Sequence, residues 1–217
     1  MAGLNIQEMH RAVRLGVQQV DANFLDGFLP EEIDMYINRS ISEYIKLQQG
    51  LLKSDNPNQF EIASENLRTL IRHQSYTSFT DSSRIPMARK VSIPSSPVYD
   101  FFIHGHVVYN NEVRNCQWLT YARLSHFLAT QNNPVPWYEE VPILLYDNEI
   151  HIMRERESDT ISKFDFVYLR EFVPVSLPNT VDCDLPAHTH EELIDRTVAL
   201  IVTDVRQSRG QQAPAES

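Results

Sequence analysis

The sequence predicts an α+β fold: N-terminal helices, a small antiparallel β-sheet or sandwich, and a closing C-terminal helix. Three observations predict it. Apolar residues recur at spacings of three and four over the first 75 residues and again after Thr189, the period of an amphipathic helix. The stretch between is rich in β-branched and aromatic residues and is broken by Asn110-Asn111 and Asp147-Asn148, pairs that tolerate the positive φ of tight hairpins. No repeat of 20–50 residues occurs, which excludes solenoids and propellers.

The first helix is expected over residues 5–21, with Ile6, Met9, Val13, Val17 and Val20 on one face. Asn5 and Glu8 have the spacing of a capping box, Asn standing in the usual Ser/Thr place. Leu25 to Phe28 is a connection. Pro30 suits the first position of a second helix, where no amide hydrogen is needed, and Glu31, Glu32 and Asp34 suit its dipole. The apolar face there is Ile33, Ile37, Ile41, Tyr44 and Ile45. Leu51 to Asn58 reads as a loop, and a third helix is expected from Phe60 to Ser75, with Ala63, Leu67, Leu70 and Ile71 inward.

Residues 76–97 are rich in Ser, Thr and Pro and read as an extended arm. Strands are expected at Val98–Tyr109, Glu112–Trp118, Val141–Tyr146, Glu149–Arg154 and Phe164–Phe172. Leu119 to Thr130 reads as a short helix, and Asn132 to Trp137 as a loop. The last helix follows Thr189-His190-Glu191-Glu192, a Thr-x-x-Glu capping box, and buries Ile194, Val198, Ile201 and Val205. The organisation is thus a helical region (1–75), an arm (76–97), a β-rich core (98–180), a C-terminal helix (181–206) and a small, polar, disordered tail (207–217), all in one domain with arms.

The net charge of −10 is unevenly spread: residues 1–80 carry 7 Lys/Arg and 10 Asp/Glu, residues 81–130 carry 5 and 3, and residues 131–217 carry 7 and 16. Phosphate-gripping proteins need clustered cations, so tight nucleic-acid binding is not expected; an acidic wall past which DNA slides is compatible with this balance. The two cysteines, Cys116 and Cys183, exclude a disulfide-rich fold. No apolar run is long enough for a membrane span, and the opening Met1-Ala2-Gly3-Leu4-Asn5 lacks the basic start and apolar run of a secretory signal.

No phosphate-binding glycine loop, Gly-x-Ser-x-Gly elbow or His-Glu-x-x-His helix occurs. The best metal-ligand set is Cys183, His188 and His190, with Asp182 and Asp184 adjacent. The residue types suit zinc, but the spacing departs from the familiar Cys-x2–4-Cys and His-x3–5-His pairs, so the set reads as the flank of a helix start. His104 and His106 share one face of a strand, with Asp100 or Glu112 as neighbours, and read as surface residues. Arg154-Glu155-Arg156-Glu157-Ser158-Asp159 reads as a solvated hairpin end. Trp118, Trp137 and Tyr138 read as core or loop anchors, with an interface role for Trp137 and Tyr138 as the alternative. No catalytic, cofactor-binding or metal residue is expected, and no cofactor.

Phe28-Leu29-Pro30-Glu31-Glu32-Ile33-Asp34, running into Ile37-Asn38-Arg39-Ser40 and Glu43, gives the string F-x-P-E-E-I-D-x-x-I-N-x-S/A-x-x-E. It resembles the N-terminus of small structural proteins of crAss-like phages. Three further patches share the resemblance: Phe166 to Val175, similar to a Y-L-x-x-P strand but with Phe172-Val173-Pro174 in place of Lys-Pro; Leu185-Pro186 leading to His190-Glu191-Glu192-Leu193-Ile194, similar to L-P-x-x-x-H-E-E-I; and Asn133-Pro134 followed by Asn148-Glu149-Ile150. Residues 76–97 match nothing in the pattern. The family is that of the neck or ring proteins that join portal to tail. The resemblance implies a non-catalytic virion protein, made in the bacterial cytoplasm and placed in the virion neck. It implies a homo-oligomeric ring, usually twelvefold, contacting the portal protein or neighbouring neck and tail proteins. Genomic DNA would pass through its lumen without specific binding, and no membrane is involved. Another tail or capsid-associated virion subunit is the alternative, and a small metal-dependent enzyme or regulatory binding protein a more distant one.

Overall fold

The computed structural model describes residues 3–20, 28–54, 56–85, 87–120, 122–123 and 140–211. Where one domain with arms was expected, the chain divides into two compact units: Met1–Leu70 with Phe172–Ser217, and Ile71–Glu171. The first is helical and the second holds the sheet, so the class is α+β as expected. Among the described residues no helix is long and apolar enough to cross a membrane.

The helical unit contains α1 (Ile6–Val20), α2 (Pro30–Leu52), α3 (Pro57–Asn66) and α4 (His190–Gln211). The α1 start is the expected reciprocal box: Glu8 N–H donates to Asn5 Oδ1 and Asn5 N–H to Glu8 Oε2, both at 2.9 Å. A third acceptor comes from far away in sequence, since Ile6 N–H donates to Asp182 Oδ1 at 2.7 Å. Ile6, Met9, Val13 and Val17 are buried as expected, but Val20 is exposed. Gly16 lets α1 approach α4 closely: a Cβ there would lie 2.7 Å from Val198 Cγ2.

The buried face of α2 carries the expected Ile33, Ile37, Ile41, Tyr44 and Ile45. Polar groups share that face and have a defined task. Asn38 grips Val175 at both ends, donating from Nδ2 to Val175 O (3.0 Å) and accepting from Val175 N–H (2.8 Å). One turn earlier, Asp34 accepts Leu177 N–H at 2.9 Å and meets His10 Nε2 at 2.7 Å. Val175 and Leu177 are thereby held along α2 by backbone recognition, which satisfies amides that would otherwise be buried unpaired.

Two helix boundaries differ from expectation. The loop expected through Asn58 ends at Asn56, whose side chain caps Asn58 N–H, and Pro57 opens α3. The expected third helix then stops at Asn66 rather than Ser75, because Ile71–Tyr76 forms β1. In α4 the inward stripe starts one residue earlier than expected, with Leu193, Thr197 and Ile201 fully buried. The expected Thr189–Glu192 box is not formed; the Thr189 hydroxyl donates to Pro186 O at 2.8 Å, and Glu192 pairs with Arg196. The tail expected to be disordered from residue 207 is helical to Gln211, and its remainder lies outside the described residues.

The sheet unit is a curled, eight-stranded sheet in the order β1-β8-β4-β5-β6-β7-β3-β2. Its strands are β1 (Ile71–Tyr76), β2 (Thr80–Asp81), β3 (Ala88–Ser92), β4 (Tyr99–Tyr109), β5 (Glu112–Trp118), β6 (Glu140–Tyr146), β7 (Glu149–Met153) and β8 (Ile161–Arg170). β2 and β3 occupy the segment expected to be an arm. The sheet is larger than expected and mixed, since β5 and β6 run parallel. The 21 residues from Leu119 to Glu139 give the chain the length that a parallel return requires; the short helix and loop expected there lie largely outside the described residues. Both expected two-residue hairpins form, with positive φ at Asn110, Asn111, Asp147 and Asn148.

One face of the sheet is a ladder of rings. Phe164, Phe166 and Tyr168 alternate along β8, with Phe166 and Tyr168 stacked at 5.1 Å between centroids. Phe102 and Trp118 stack on the same ladder at 4.8 Å, which places Trp118 in the core. Gly105 makes room for it, because a Cβ there would meet Asp165 O at 3.0 Å and the Phe164 and Phe102 rings at 3.3 and 3.4 Å.

Replacing Asn38 by Ala leaves the Val175 amide and carbonyl without their partner. The expected loss is about 2 kcal/mol of stability, read as a lowered denaturation midpoint with an unchanged denaturant slope; wild-type stability in N38A would contradict this role for the side chain.

Candidate functional site

The strand register turns one set of side chains to the face opposite the aromatic ladder. His106 lies across from Asp165 on β8, and Asp165 lies across from Ser75 on β1. His104 and His73 flank Val167 in the same way. On the other side, His106 lies across from Asn115 and Val108 from Val113 on β5. These pairs share a face because side chains directly opposite each other in an antiparallel ladder point the same way.

Asp165 is the centre of this face. Its carboxylate is buried, yet its partners reach it from solvent. The Lys163 ammonium donates to Oδ2 at 2.7 Å, and His106 Nε2 lies 3.2 Å from the same oxygen. On the other side, His73 Nε2 lies 3.5 Å from Oδ1, which also accepts the Ser75 hydroxyl proton. Burial pushes the carboxyl pKa up, but the hydrogen bonds from Lys163 and Ser75 and the charges of Lys163 and His106 outweigh it, so the group sits below the usual carboxylate range. His104 is pushed down, chiefly by burial and then by His106 and His73.

This cluster was half legible in the sequence. His104 and His106 do share a strand face, but Asp165, not Asp100 or Glu112, is the carboxylate that His106 meets. The alternation of Phe164, Phe166 and Tyr168 could have placed Asp165 outward. His73 was hidden by the expected helix through Ser75. Chemically the arrangement presents hydrogen-bond donors around a carboxylate. It does not activate a nucleophile, since the Ser75 hydroxyl is turned to Asp165 rather than to an imidazole nitrogen.

The Cys183, His188 and His190 set is divided among separate tasks. His190 is buried and uses both ring nitrogens: Nδ1 accepts Leu4 N–H at 3.1 Å, and Nε2 donates to Leu185 O at 3.0 Å. His188 Nε2 lies 3.0 Å from Asn66 Oδ1. Asp182 accepts from Ile6, and Asp184 accepts Val173 N–H at 2.9 Å. Burial raises the Cys183 thiol to about 11, so it is no ready thiolate. Among the described residues no group of three or more His, Cys, Asp or Glu side chains is arranged to hold a metal ion.

The Arg154–Asp159 run is solvated only in part. Glu155 to Ser158 are exposed, whereas Arg154 is 8% exposed, donating from Nη1 to Glu157 O and from Nη2 to Asp81 Oδ1. Asp159 closes the turn by accepting from the Tyr109 hydroxyl (2.5 Å) and Arg156 N–H (2.8 Å). Trp137 and Tyr138 lie outside the described residues. Neighbouring β7 holds His151, 1% exposed, with neither ring nitrogen hydrogen-bonded. Burial lowers its pKa; Glu149 at 3.8 Å opposes this, while Lys90 and Arg84 add to it.

Two pH dependences follow. The depressed Asp165 carboxyl contributes stability above the unfolded carboxylate value of about 3.9, lost as pH falls through its lower folded value. Asp165→Asn is therefore expected to lower Tm at pH 7, with the gap to wild type closing below about pH 4; a constant gap contradicts this. His151 is held neutral in the folded chain, so its effect runs the other way. The unfolded chain takes up a proton below about pH 6.5 that the folded chain refuses, and stability falls as pH falls. His151→Leu is expected to keep its Tm at pH 7.5 and to show a smaller drop between pH 7.5 and 5.5; an unchanged drop rules this out. No protein-family model matches the sequence, and no curated protein matches it.

Proposed function

We propose that the chain is a non-catalytic structural subunit of a phage virion neck, a head-to-tail connector that forms a ring between portal and tail around the DNA channel. The reading starts from the resemblance of residues 28–43 and of the patches at 166–175 and 185–194 to the neck and ring proteins of crAss-like phages. The observation that carries it further is what the polar residues of those patches do. Asp34 and Asn38 of the first patch hold the backbone of Val175 and Leu177, and Ser40 donates to Leu193 O at 3.3 Å. His190 of the last patch holds Leu4. The patches are thus parts of one hydrogen-bonded framework, and the signature they share is scaffold rather than chemistry.

The charge balance supports the same reading. The helical unit carries 9 Lys/Arg against 17 Asp/Glu and the sheet unit 10 against 12, so neither offers the cation excess that tight DNA binding uses. A lumen that DNA must traverse is better served by a surface that repels phosphate than by one that holds it. A ring also asks each subunit for two different contact patches, so that contacts close by rotation.

The test is assembly. Purified chain, alone and co-expressed with the portal protein of the same phage, is expected to give rings by negative-stain microscopy, and a virion map is expected to place it between portal and tail. A strictly monomeric chain that neither binds portal nor appears in the neck would overturn the proposal.

A further inference from the structure

The tautomer of His190 is set on both sides by backbone groups that cannot exchange roles. Leu4 N–H can only donate, so Nδ1 turns its lone pair to it at 3.1 Å. Leu185 O can only accept, so Nε2 carries the proton, at 3.0 Å. The ring is therefore neutral in this fold, and it is buried. The segment ahead of α1 closes over it. Gly3 runs so near that a Cβ there would lie 3.1 Å from His190 Cε1 and 3.4 Å from Ala187 Cβ.

A proton gained at Nδ1 sets two donors against each other. Leu4 N–H loses its acceptor, and the buried ring gains a charge. The charged groups on the elements around it are already engaged. Asp182 and Asp184, just before α4, accept from Ile6 and Val173. On α1, Glu8 is boxed with Asn5, and on α2 Asp34 takes His10 and Leu177 N–H. On α4, Glu192 pairs with Arg196 and Glu191 is exposed, while His188 is turned to Asn66. Local opening relieves the conflict, because exposed Gly3 and half-buried Leu4 can lift away while the Asn5–Glu8 box and Asp182 still hold the start of α1. His10, the other buried imidazole of the helical unit, differs: its Nε2 faces the Asp34 carboxylate, an acceptor that a charged ring keeps.

We infer that His190 is a proton-operated latch on the N-terminal segment. Neutral, it holds Gly3 and Leu4 against the start of α4; protonated, it releases them. The closed state refuses a proton that the open state accepts, so closure is strongest above the ordinary imidazole value of about 6.5 and weakens as pH falls through it. The latch lies within the helical unit and stands or falls independently of the ring reading.

The experiment is millisecond hydrogen–deuterium exchange of the full chain, read at the Leu4 amide and corrected for the intrinsic rate at each pH. With one proton linked to opening, the corrected rate is expected to rise about tenfold between pH 7.5 and 5.5, while the amides of Ile37 and Ile41 in α2 keep their protection. A corrected rate that does not change overturns the latch, and so does an equal rise at Ile37 and Ile41, which would mean unfolding of the unit. His190→Asn offers an oxygen acceptor in place of Nδ1 that takes up no proton in this range, so its Leu4 rate is expected to be flat with pH; the wild-type rise persisting there overturns the proposal. His188→Gln is expected to keep the rise, and its loss would assign the proton to His188 instead. Nitrogen NMR of the wild-type ring makes the test independent of whether His190→Asn folds. Nδ1 of His190 is expected to gain its proton with the same midpoint as Leu4 opening, and a ring that protonates while Leu4 stays protected overturns the latch.

Discussion

The helical unit depends on a single arrangement: α2 recognises the backbone of a segment roughly 140 residues further along the chain through Asp34 and Asn38. Closing so long a loop costs conformational entropy, which grows slowly with length and must be offset by contacts that form only in the native register. Hydrophobic burial of Ile33, Ile37 and Ile41 supplies free energy but little register, because apolar contact is non-directional. The two side chains supply what burial lacks. Asn38 pairs with both the amide and the carbonyl of Val175, and Asp34 takes the next inward amide, so a slip of one residue would leave each without its partner. A buried carboxylate is costly when alone; here His10 and the Leu177 amide together make it tolerable.

The sheet unit solves a different problem. Its two ends lie side by side, since Ile71 at the start of β1 pairs with Leu169 near the end of β8. A unit whose ends meet can be inserted into another without stretching either chain, which is how residues 71–171 interrupt the helical unit in sequence. β8 does most of the organising. It sits between β1 and β4, carries the ring ladder on one face and Asp165 on the other, and so fixes core and outer face with one alternation.

That alternation explains what the sequence disclosed and what it hid. α2 was legible because Pro30 and its acidic first turn punctuate a long apolar stripe, and β5 because its bounds are set by an Asn-Asn hairpin and Trp118. β1 was not. Ile71-Arg72-His73-Gln74-Ser75-Tyr76 follows Leu67 and Leu70 at helical spacing, and its strand character comes only from pairing with β8. β3, Ala-Arg-Lys-Val-Ser, has too few apolar residues to alternate and reads as an arm until β7 is beside it. The parallel β5–β6 pair left no local mark at all. The site suffered in part from the same blind spot: without β1, His73 and Ser75 are missing from the face, whereas Asp165 lies on an expected strand and only the β4–β8 register brings it to His106. Asp34 and Asn38 suit the helix dipole and the family string, but their four-residue spacing beside Ile33 and Ile37 also sets them toward the core.

Asp165 decides how the polar side chains of its face are held. If donors were the only requirement, an apolar residue at 165 would leave Lys163 and the histidines free and spare the cost of burying a charge. Without a central acceptor, though, long side chains on an open sheet wander, and ordering them at the moment of contact costs each its rotamer freedom. A buried carboxylate that accepts from Lys163, with His73 and His106 within 3.5 Å, collects them in one place. Asp165 neutralises part of the face's charge and fixes the rest in direction.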